Sequence, residues 1–286
     1  MLNLLKLIRP HHYLKNLFIF LPAFFAGRAA DTSLYFPLAI TFISFCLTAS
    51  AVYIFNDIRD RTEDQNHPIK KDRPLASGKI SLGFAIGAMF VFLGLGLGLS
   101  FLINLDFLFI LSIYVLLNFL YSLHLKKIAI LDLFIIALGF ILRLFAGSVA
   151  TDVPLSMWII IMTFLLALFL AMAKRRSDYL LSQKGHDVRK NIEGYNLPFI
   201  NTSLSILAGV TVVAYIMYTT SPFVLIQFES DRLYLTTIFV LFGLLRYLQL
   251  ALVEEKSGSP TKVLMKDFYL QVTLLAWMIS FFLIIY

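Results

Sequence analysis

Charged residues are scarce in this chain. Asp, Glu, Lys and Arg make up 14% of its 286 residues, whereas an ordinary soluble domain is about one quarter charged. Because 59% of the residues are hydrophobic, too few polar side chains remain to cover a globular surface. This composition excludes a soluble enzyme and a disordered chain, and it argues against a nucleic-acid-binding protein although the net charge is +7.

Cysteine is almost absent. The single one, Cys46, lies within an apolar segment, so the sequence supports neither a disulfide framework nor a zinc site. Histidines are few and lack the spacing of a metal site; they are His11, His12, His67, His124 and His186.

Long apolar segments are what the chain has instead. Segments of about twenty residues, long enough to cross a bilayer, recur along its whole length. They predict an all-α fold, a polytopic membrane bundle of nine transmembrane helices that forms a single domain over 1–286. The nine segments are 14–30, 34–55, 81–104, 107–123, 130–150, 155–173, 200–221, 233–252 and 268–286.

The distribution of basic residues predicts the orientation. Of the 24 Lys and Arg, 20 fall in the N-terminal segment and in the loops after the second, fourth, sixth and eighth helices, all on one side of the membrane. Since positively charged loops stay in the cytoplasm, we expect a cytoplasmic N-terminus in a bacterial-type cytoplasmic membrane. The long mixed-charge loops after helices two and six are four helices apart, which indicates a weak internal repeat with a site between them, facing the cytoplasm.

An acidic motif follows the second predicted helix. If that helix continues, Asp57, Asp60 and Asp64 lie within an arc of about 60° on one face. Such like charges repel and need a counter-ion. Carboxylates at the mouth of a membrane cavity suit Mg²⁺, which substrate phosphates then complete, and Asn56 can add a neutral oxygen or bind the phosphate. The alternative is a solvated loop in which these acids balance neighbouring Lys and Arg.

Basic residues come next in the same loop. Lys70 and Arg73 lie in the stretch 67–78, whose prolines hold it in defined turns. A metal together with Lys and Arg beside an apolar interior is what a phosphorylated lipid or sugar requires.

These motifs resemble a known family. The matching residues are Asn56-Asp57, Asp60 and Asp64, followed by Arg73-Pro74 and Gly78. On a chain of nine predicted spans they resemble the UbiA superfamily of intramembrane prenyltransferases. Further residues resemble its decaprenyl-phosphate phosphoribosyltransferase branch: Arg9-Pro10, Lys15-Asn16, Tyr121-Ser122, Lys126, Asp132, Lys174-Arg175-Arg176 and Arg246-Tyr247.

The resemblance implies Mg²⁺-dependent transfer of phosphoribose from phosphoribosyl diphosphate to a polyprenyl phosphate lipid. Asp57 and Asp60 are then the expected catalytic residues, and Asp64 joins them as a metal ligand. The expected substrate-binding residues are Lys15, Asn56, Lys70, Arg73, Tyr121, Lys126, Lys174 and Arg175.

The second long loop departs from the superfamily pattern. Most members carry another Asp-rich motif there, but this chain has Lys174, Arg175 and Arg176 and no second cluster of closely spaced acids. Cations suit direct phosphate binding, which favours phosphoribosyl transfer over aromatic prenylation. The alternatives are a positive-inside anchor at a helix end, above all for Arg176, and a pairing of Lys174 with Asp178 one turn on.

Two other functions fit parts of the pattern. One is prenyl transfer from a polyprenyl diphosphate to an aromatic or quinone-precursor acceptor, which needs the same first motif. The other is a secondary transporter, suggested by the repeat, although its charges would lie at the midplane rather than at one face. The sequence is compatible with a homo-oligomer.

Overall fold

Every regular element in the described part of the chain is helical. The computed structural model describes residues 2–66, 70–185 and 190–286, so His67 and His186 lie outside the described residues. The helices are α1 (Leu2–Ile8), α2 (Leu21–Phe25), α3 (Tyr35–Arg59), α4 (Arg61–Asn66), α5 (Leu82–Ser100), α6 (Leu105–Leu123), α7 (Leu131–Thr151), α8 (Met157–Gln183), α9 (Leu197–Thr219), α10 (Pro222–Phe228), α11 (Thr237–Leu252), α12 (Pro260–Lys266) and α13 (Phe268–Ile285).

Eight of these helices are long and apolar enough to cross a membrane: α3, α5, α6, α7, α8, α9, α11 and α13. They correspond to eight of the nine predicted spans. The expected all-α membrane bundle is confirmed, and the chain is an integral membrane protein.

The first predicted span, 14–30, differs from a regular long helix. The chain forms a 3₁₀ helix over Pro10–Phe20, and the short helix α2 then begins at Leu21. Pro22 occupies the first turn of α2, where its missing N–H and its fixed φ are tolerated. In the interior of a continuous helix the same proline would remove a hydrogen bond, so the segment is divided into two pieces.

The described residues form two compact units, Met1–Leu155 and Ser156–Tyr286. In the first unit α3 is the central helix, and it packs against α5, α6, α7 and the 3₁₀ segment. Phe45 and Val52 belong to one buried apolar cluster, whereas Ala51 and Ile54 belong to a second. α3 therefore joins both halves of this core and carries the acidic motif at its C-terminal end.

A close approach joins α3 to α5. The Ser44 hydroxyl donates to the Gly96 carbonyl over 2.6 Å. A Cβ atom on Gly96 would lie 2.3 Å from Thr48 Oγ1, whereas Gly94 and Gly98 have open space around them. Close helix packing therefore explains Gly96 but not Gly94 or Gly98. Membrane helices commonly use small residues for close contacts of this kind.

A buried arginine ties the 3₁₀ segment to the bundle. Arg143 of α7 donates through Nε to Asn16 Oδ1 over 2.8 Å, and through Nη1 to the Gly139 carbonyl over 2.5 Å. Its guanidinium carbon lies 5.0 Å from the ring centroids of both Phe45 and Tyr114. Hydrogen bonds and aromatic faces thus satisfy this charge within the bundle.

In the second unit α8 packs along α9, and α11 packs against α9 and α13. The Tyr215 and Thr236 hydroxyls lie 2.7 Å apart, and Trp277 Nε1 donates to the Tyr215 hydroxyl over 2.7 Å. These bonds satisfy polar groups in the apolar interior of the unit.

Gly147 gives a test of the packing between α7 and the 3₁₀ segment. A Cβ atom at Gly147 would lie 2.0 Å from the Ile19 carbonyl oxygen, a backbone atom that cannot rotate away. We expect Gly147→Ala to destabilise the protein by about 1–3 kcal/mol, as overpacking does. Thermal unfolding in detergent measures the effect. Gly94→Ala adds the same methyl group in open space, and an equal loss in both variants would contradict this packing.

Candidate active site

The acidic motif lies where α3 gives way to α4. α3 ends at Arg59, yet the Asp60 N–H still donates to the Asn56 carbonyl over 2.9 Å. The Asp64 N–H in turn donates to the Asp60 carbonyl over 2.8 Å. The chain thus stays close to a helical course, but the continuous helix to Asp64 that the spacing assumed is broken at Asp60, where α3 gives way to α4.

Two arginines share the Asp57 carboxylate. Asp57 Oδ1 accepts a short hydrogen bond from Arg9 Nη2 and lies 3.2 Å from Arg73 Nη1. Arg73 Nη1 also donates to Asp64 Oδ2 over 2.6 Å. Arg73 therefore bridges the carboxylates of Asp57 and Asp64, and Arg9 contacts Asp57 from the N-terminal segment.

The third carboxylate has a different partner. Asp60 Oδ1 accepts a short hydrogen bond from Lys126 Nζ, in the 3₁₀ turn Leu125–Lys127 that follows α6. On the last turns of α6, the Ser122 hydroxyl donates a short hydrogen bond to Asn56 Oδ1. The C-terminal end of α6 is thereby fastened to the acidic motif by one ion pair and one neutral hydrogen bond.

Two of the three carboxylates are buried. The Asp57 and Asp64 side chains are only 1% and 3% exposed. Burial raises the pKa of Asp64, and the Arg73 guanidinium opposes that rise. We call Asp57, Asp60 and Asp64 with Arg9, Arg73 and Lys126 the carboxylate–cation cluster; its three negative and three positive charges cancel.

The carboxylate–cation cluster offers donor oxygens for a divalent metal. Asp57 Oδ2 is buried and has no hydrogen-bond partner among the described residues, which is a costly state for a carboxylate oxygen unless a ligand uses it. Over the described ranges, no three His, Cys, Asp or Glu side chains converge as a ready metal cage. Mg²⁺ needs only one or two carboxylates together with substrate phosphates, so the donor set fits this ion.

The chain matches the UbiA prenyltransferase family over residues 16–283. The chain belongs to this family. It is therefore an enzyme of the transferase class, and the transporter alternative is not supported.

Curated relatives extend the family assignment. The decaprenyl-phosphate phosphoribosyltransferase of Corynebacterium glutamicum is 30% identical over 292 residues, with 99% of this chain and 87% of the relative covered. The enzyme of the same name from Mycolicibacterium smegmatis is 29% identical and covers 96% of this chain and 90% of its own. The resemblance to the phosphoribosyltransferase branch is confirmed.

A solved structure shares the fold. The structure of a UbiA homolog from Archaeoglobus fulgidus bound to DMAPP and Mg²⁺ aligns with a TM-score of 0.73, at 21% identity, over 99% of both chains. The UbiA fold of this chain is therefore established independently of its close relatives.

Three other predicted site residues of this UbiA member lie in the first unit. Lys15, on the 3₁₀ segment, is within electrostatic range of Arg9 and Tyr121. Lys70 begins the 3₁₀ turn Lys70–Asp72 and is near enough to Asp64 to favour its ionised form. Tyr121, on the last turn of α6, is half-buried.

The predicted cations of the second unit lie within α8 rather than in a loop. Arg175 is fully buried, and its Nη1 donates a short hydrogen bond to Asp178 Oδ2. Lys174 precedes it on the same turn and is half-buried. Their predicted roles in substrate binding stay predictions.

Arg176 contacts two other helices of the second unit. It donates through Nη1 to the Ala251 carbonyl over 2.5 Å and through Nε to Asn201 Oδ1 over 3.0 Å. The buried Ser257 hydroxyl donates to the Ala173 carbonyl over 2.8 Å. This turn of α8 is thus fixed against α9 and the end of α11, so the contacts of Arg176 are packing contacts within the second unit.

Two residues of the site were not among the predicted ligand-binding residues. Arg9 and Ser122 lie in motifs that resemble the family, but their partners are 48 and 66 positions away in the sequence. Local sequence therefore gives no signal of which acid or amide each one contacts.

Arg73 gives a test of the charge balance. In Arg73→Gln two buried carboxylates lose a shared cation, and we expect a loss of about 3 kcal/mol in stability, near the lower limit for a buried pair because Arg73 is partly exposed. Added Mg²⁺ should recover part of this loss by taking the place of the guanidinium charge. Thermal unfolding with EDTA and then with Mg²⁺ measures both effects.

The matched control is Arg28→Gln, because Arg28 forms an exposed ion pair with Asp31 at 2.7 Å, outside the cluster. It should change stability little and show no added response to Mg²⁺. Equal behaviour of the two variants would mean that Arg73 does not balance buried charge.

Proposed function

We propose that this protein transfers 5-phosphoribose from phosphoribosyl diphosphate to a polyprenyl phosphate, in a Mg²⁺-dependent reaction at the cytoplasmic face of the membrane. Relatives of this name that match nearly the full chain support the choice of reaction. The concentration of basic loops on one side supports the choice of face.

The observation that carries the proposal is the carboxylate–cation cluster. A site for a metal diphosphate needs carboxylate oxygens for the metal and cations for the phosphates, and this cluster holds both within contact distance. Arg73 and Lys126 are bonded to the acids that would ligate the metal. Arg73 and Lys126 can therefore bind phosphate oxygens when the acids bind a metal ion.

Mg²⁺, when bound to Asp57 and Asp60 and supported by Asp64, would withdraw electron density from the diphosphate and stabilise it as a leaving group. Arg73 and Lys126 would neutralise the remaining charge of the diphosphate, which grows as the leaving bond breaks. Lys70, beside Asp64, supplies a further positive charge in this region.

The reaction exchanges one bond at C1 of the ribose. The bond from C1 to the diphosphate oxygen breaks, and the diphosphate leaves with the electron pair. An oxygen of the polyprenyl phosphate attacks C1 from the opposite face and forms the new bond. That oxygen is already anionic, so no strong general base is required.

The remaining first-unit residues are proposed to bind and orient substrate. The Ser122 hydroxyl contacts the side-chain oxygen Oδ1 of Asn56, so the side-chain nitrogen Nδ2 of Asn56 is the group that can donate to a phosphate. Lys15 and Tyr121 lie within electrostatic range of each other and offer a cation and a hydroxyl for a phosphate or a ribose hydroxyl.

The decisive experiment incubates the purified protein with Mg²⁺, labelled phosphoribosyl diphosphate and a polyprenyl phosphate. We expect a lipid-extractable labelled product that disappears with EDTA. Asp57→Asn and Asp60→Asn should each abolish it, because each removes a charged ligand oxygen. Gly94→Ala, in open space on α5, is the control that should keep full activity.

The same assay separates the alternative reaction. Transfer from a prenyl diphosphate to an aromatic acid, without a phosphoribosyl lipid, would select ordinary prenylation and overturn the proposal. Full activity of both Asp variants would overturn the metal assignment alone.

Lys174 is proposed to bind a phosphate of one substrate. We expect Lys174→Ala to raise the KM for that substrate with little change in kcat, because the charge aids binding without taking part in bond breaking. Steady-state kinetics with each substrate varied in turn measures this, and Lys184→Ala, an exposed position beyond the end of α8, is the matched control. An unchanged KM would assign Lys174 to membrane anchoring.

A further inference from the structure

Arg9 lies in an unusual backbone conformation. It joins α1 to the 3₁₀ segment with φ 55° and ψ 59°, in the left-handed region, and it directly precedes Pro10. Residues other than glycine disfavour this region, and a residue that precedes a proline favours an extended conformation instead. Strain of this kind costs on the order of 1–3 kcal/mol and persists only where the surrounding structure compensates for it.

A turn alone does not account for an arginine at this position. Glycine or asparagine is the usual residue where a helix ends in a left-handed conformation, because either adopts it at a lower cost. The arginine therefore offers something that the turn itself does not require, and the contacts of its side chain indicate what that is.

The guanidinium of Arg9 reaches the buried end of α3. It pairs with Asp57 Oδ1, and its central carbon lies 5.6 Å from the centroid of the Tyr53 ring, one turn earlier on the same helix. Arg73 approaches the same Oδ1 atom at 3.2 Å. Both cations thus hold one oxygen of Asp57, and the other, Oδ2, is buried without a hydrogen bond from the part of the chain that the structure describes.

We propose that Arg9 is a positioning residue, which holds Oδ1 of Asp57 so that Oδ2 is presented to the divalent cation of a metal–diphosphate substrate. The inference rests on the proposed function for the identity of that ligand. It adds the N-terminal segment to the site, and it assigns the two oxygens of Asp57 different partners. Groups that orient a metal ligand in this way commonly change metal affinity about 10- to 100-fold when they are removed.

The N-terminal segment has other attachments, so the role of Arg9 can be separated from that of the segment. The Tyr13 and Ser50 hydroxyls lie 2.7 Å apart, and the Ser50 hydroxyl lies within 3.3 Å of the Ile8 carbonyl. Tyr13→Phe therefore loosens the same segment on α3 without touching Asp57. This substitution is the matched control.

The test measures binding of Mn²⁺ with inorganic diphosphate to the purified full-length protein by equilibrium dialysis, which separates the protein-bound metal from metal that is bound to diphosphate alone. Arg9→Gly keeps the left-handed turn and removes the guanidinium, and we expect at least about tenfold weaker Mn²⁺ binding. Arg9→Lys should restore part of the affinity through its charge, and Tyr13→Phe should bind within about twofold of the unaltered protein.

Wild-type affinity in Arg9→Gly would overturn the proposal, as would equal losses in Arg9→Gly and Tyr13→Phe or an absence of Mn²⁺ binding by the unaltered protein. If Arg9→Gly does not give monodisperse protein, Arg9→Asn takes its place, because asparagine also tolerates the left-handed region. The assay contains neither phosphoribosyl diphosphate nor a polyprenyl phosphate. A failure of the proposed function, seen as no labelled lipid, is therefore distinguishable from a failure of this inference.

Discussion

Neutralising buried carboxylates is the constraint on which the first unit depends. A carboxylate placed at the edge of a bilayer without a partner costs several kcal/mol, so the chain has to bring cations to Asp57 and Asp64. It draws them from distant places: Arg9 from before the first span and Arg73 from after α4, while Lys126 from after α6 pairs with Asp60. Three segments are thus held at the C-terminal end of α3 by electrostatics, in addition to the apolar packing along α3.

The same principle applies deeper in the bundle, with a different result. Arg143 is satisfied by carbonyl and amide oxygens and by aromatic faces rather than by an acid. These neutral partners hold the guanidinium in the interior of the first unit, so Arg143 attaches the 3₁₀ segment to α7. The environments of Arg143 and Arg73 differ because, of the two, the one around Arg73 contains carboxylates that a metal can bind.

Much of this arrangement follows from the sequence, and the rest depends on tertiary contacts. Eight spans are predicted from apolar length alone. Asp57 and Asp64, which the spacing places on one face, share Arg73, whereas Asp60 pairs with Lys126. The first span is not a long helix, because Pro22 starts a new helix and because Asn16 has a partner on α7, which a local window cannot detect. The pairing of Asp60 with Lys126 and of Asp57 with Arg9 depends on which helix ends meet, information that composition and periodicity do not contain. The same limit applies to Gly94, Gly96 and Gly98 of α5, because among these three only Gly96 lies close to α3.

The cancelled charge of the carboxylate–cation cluster has a consequence for selectivity. A free divalent cation approaching the cluster must displace arginine and lysine from the carboxylates and leave those cations unbalanced. A free diphosphate must displace the carboxylates and leave them unbalanced in turn. Under the proposed function, a cation and a diphosphate that arrive together would give every charged group a new partner, so the cluster would favour their complex over either ion alone.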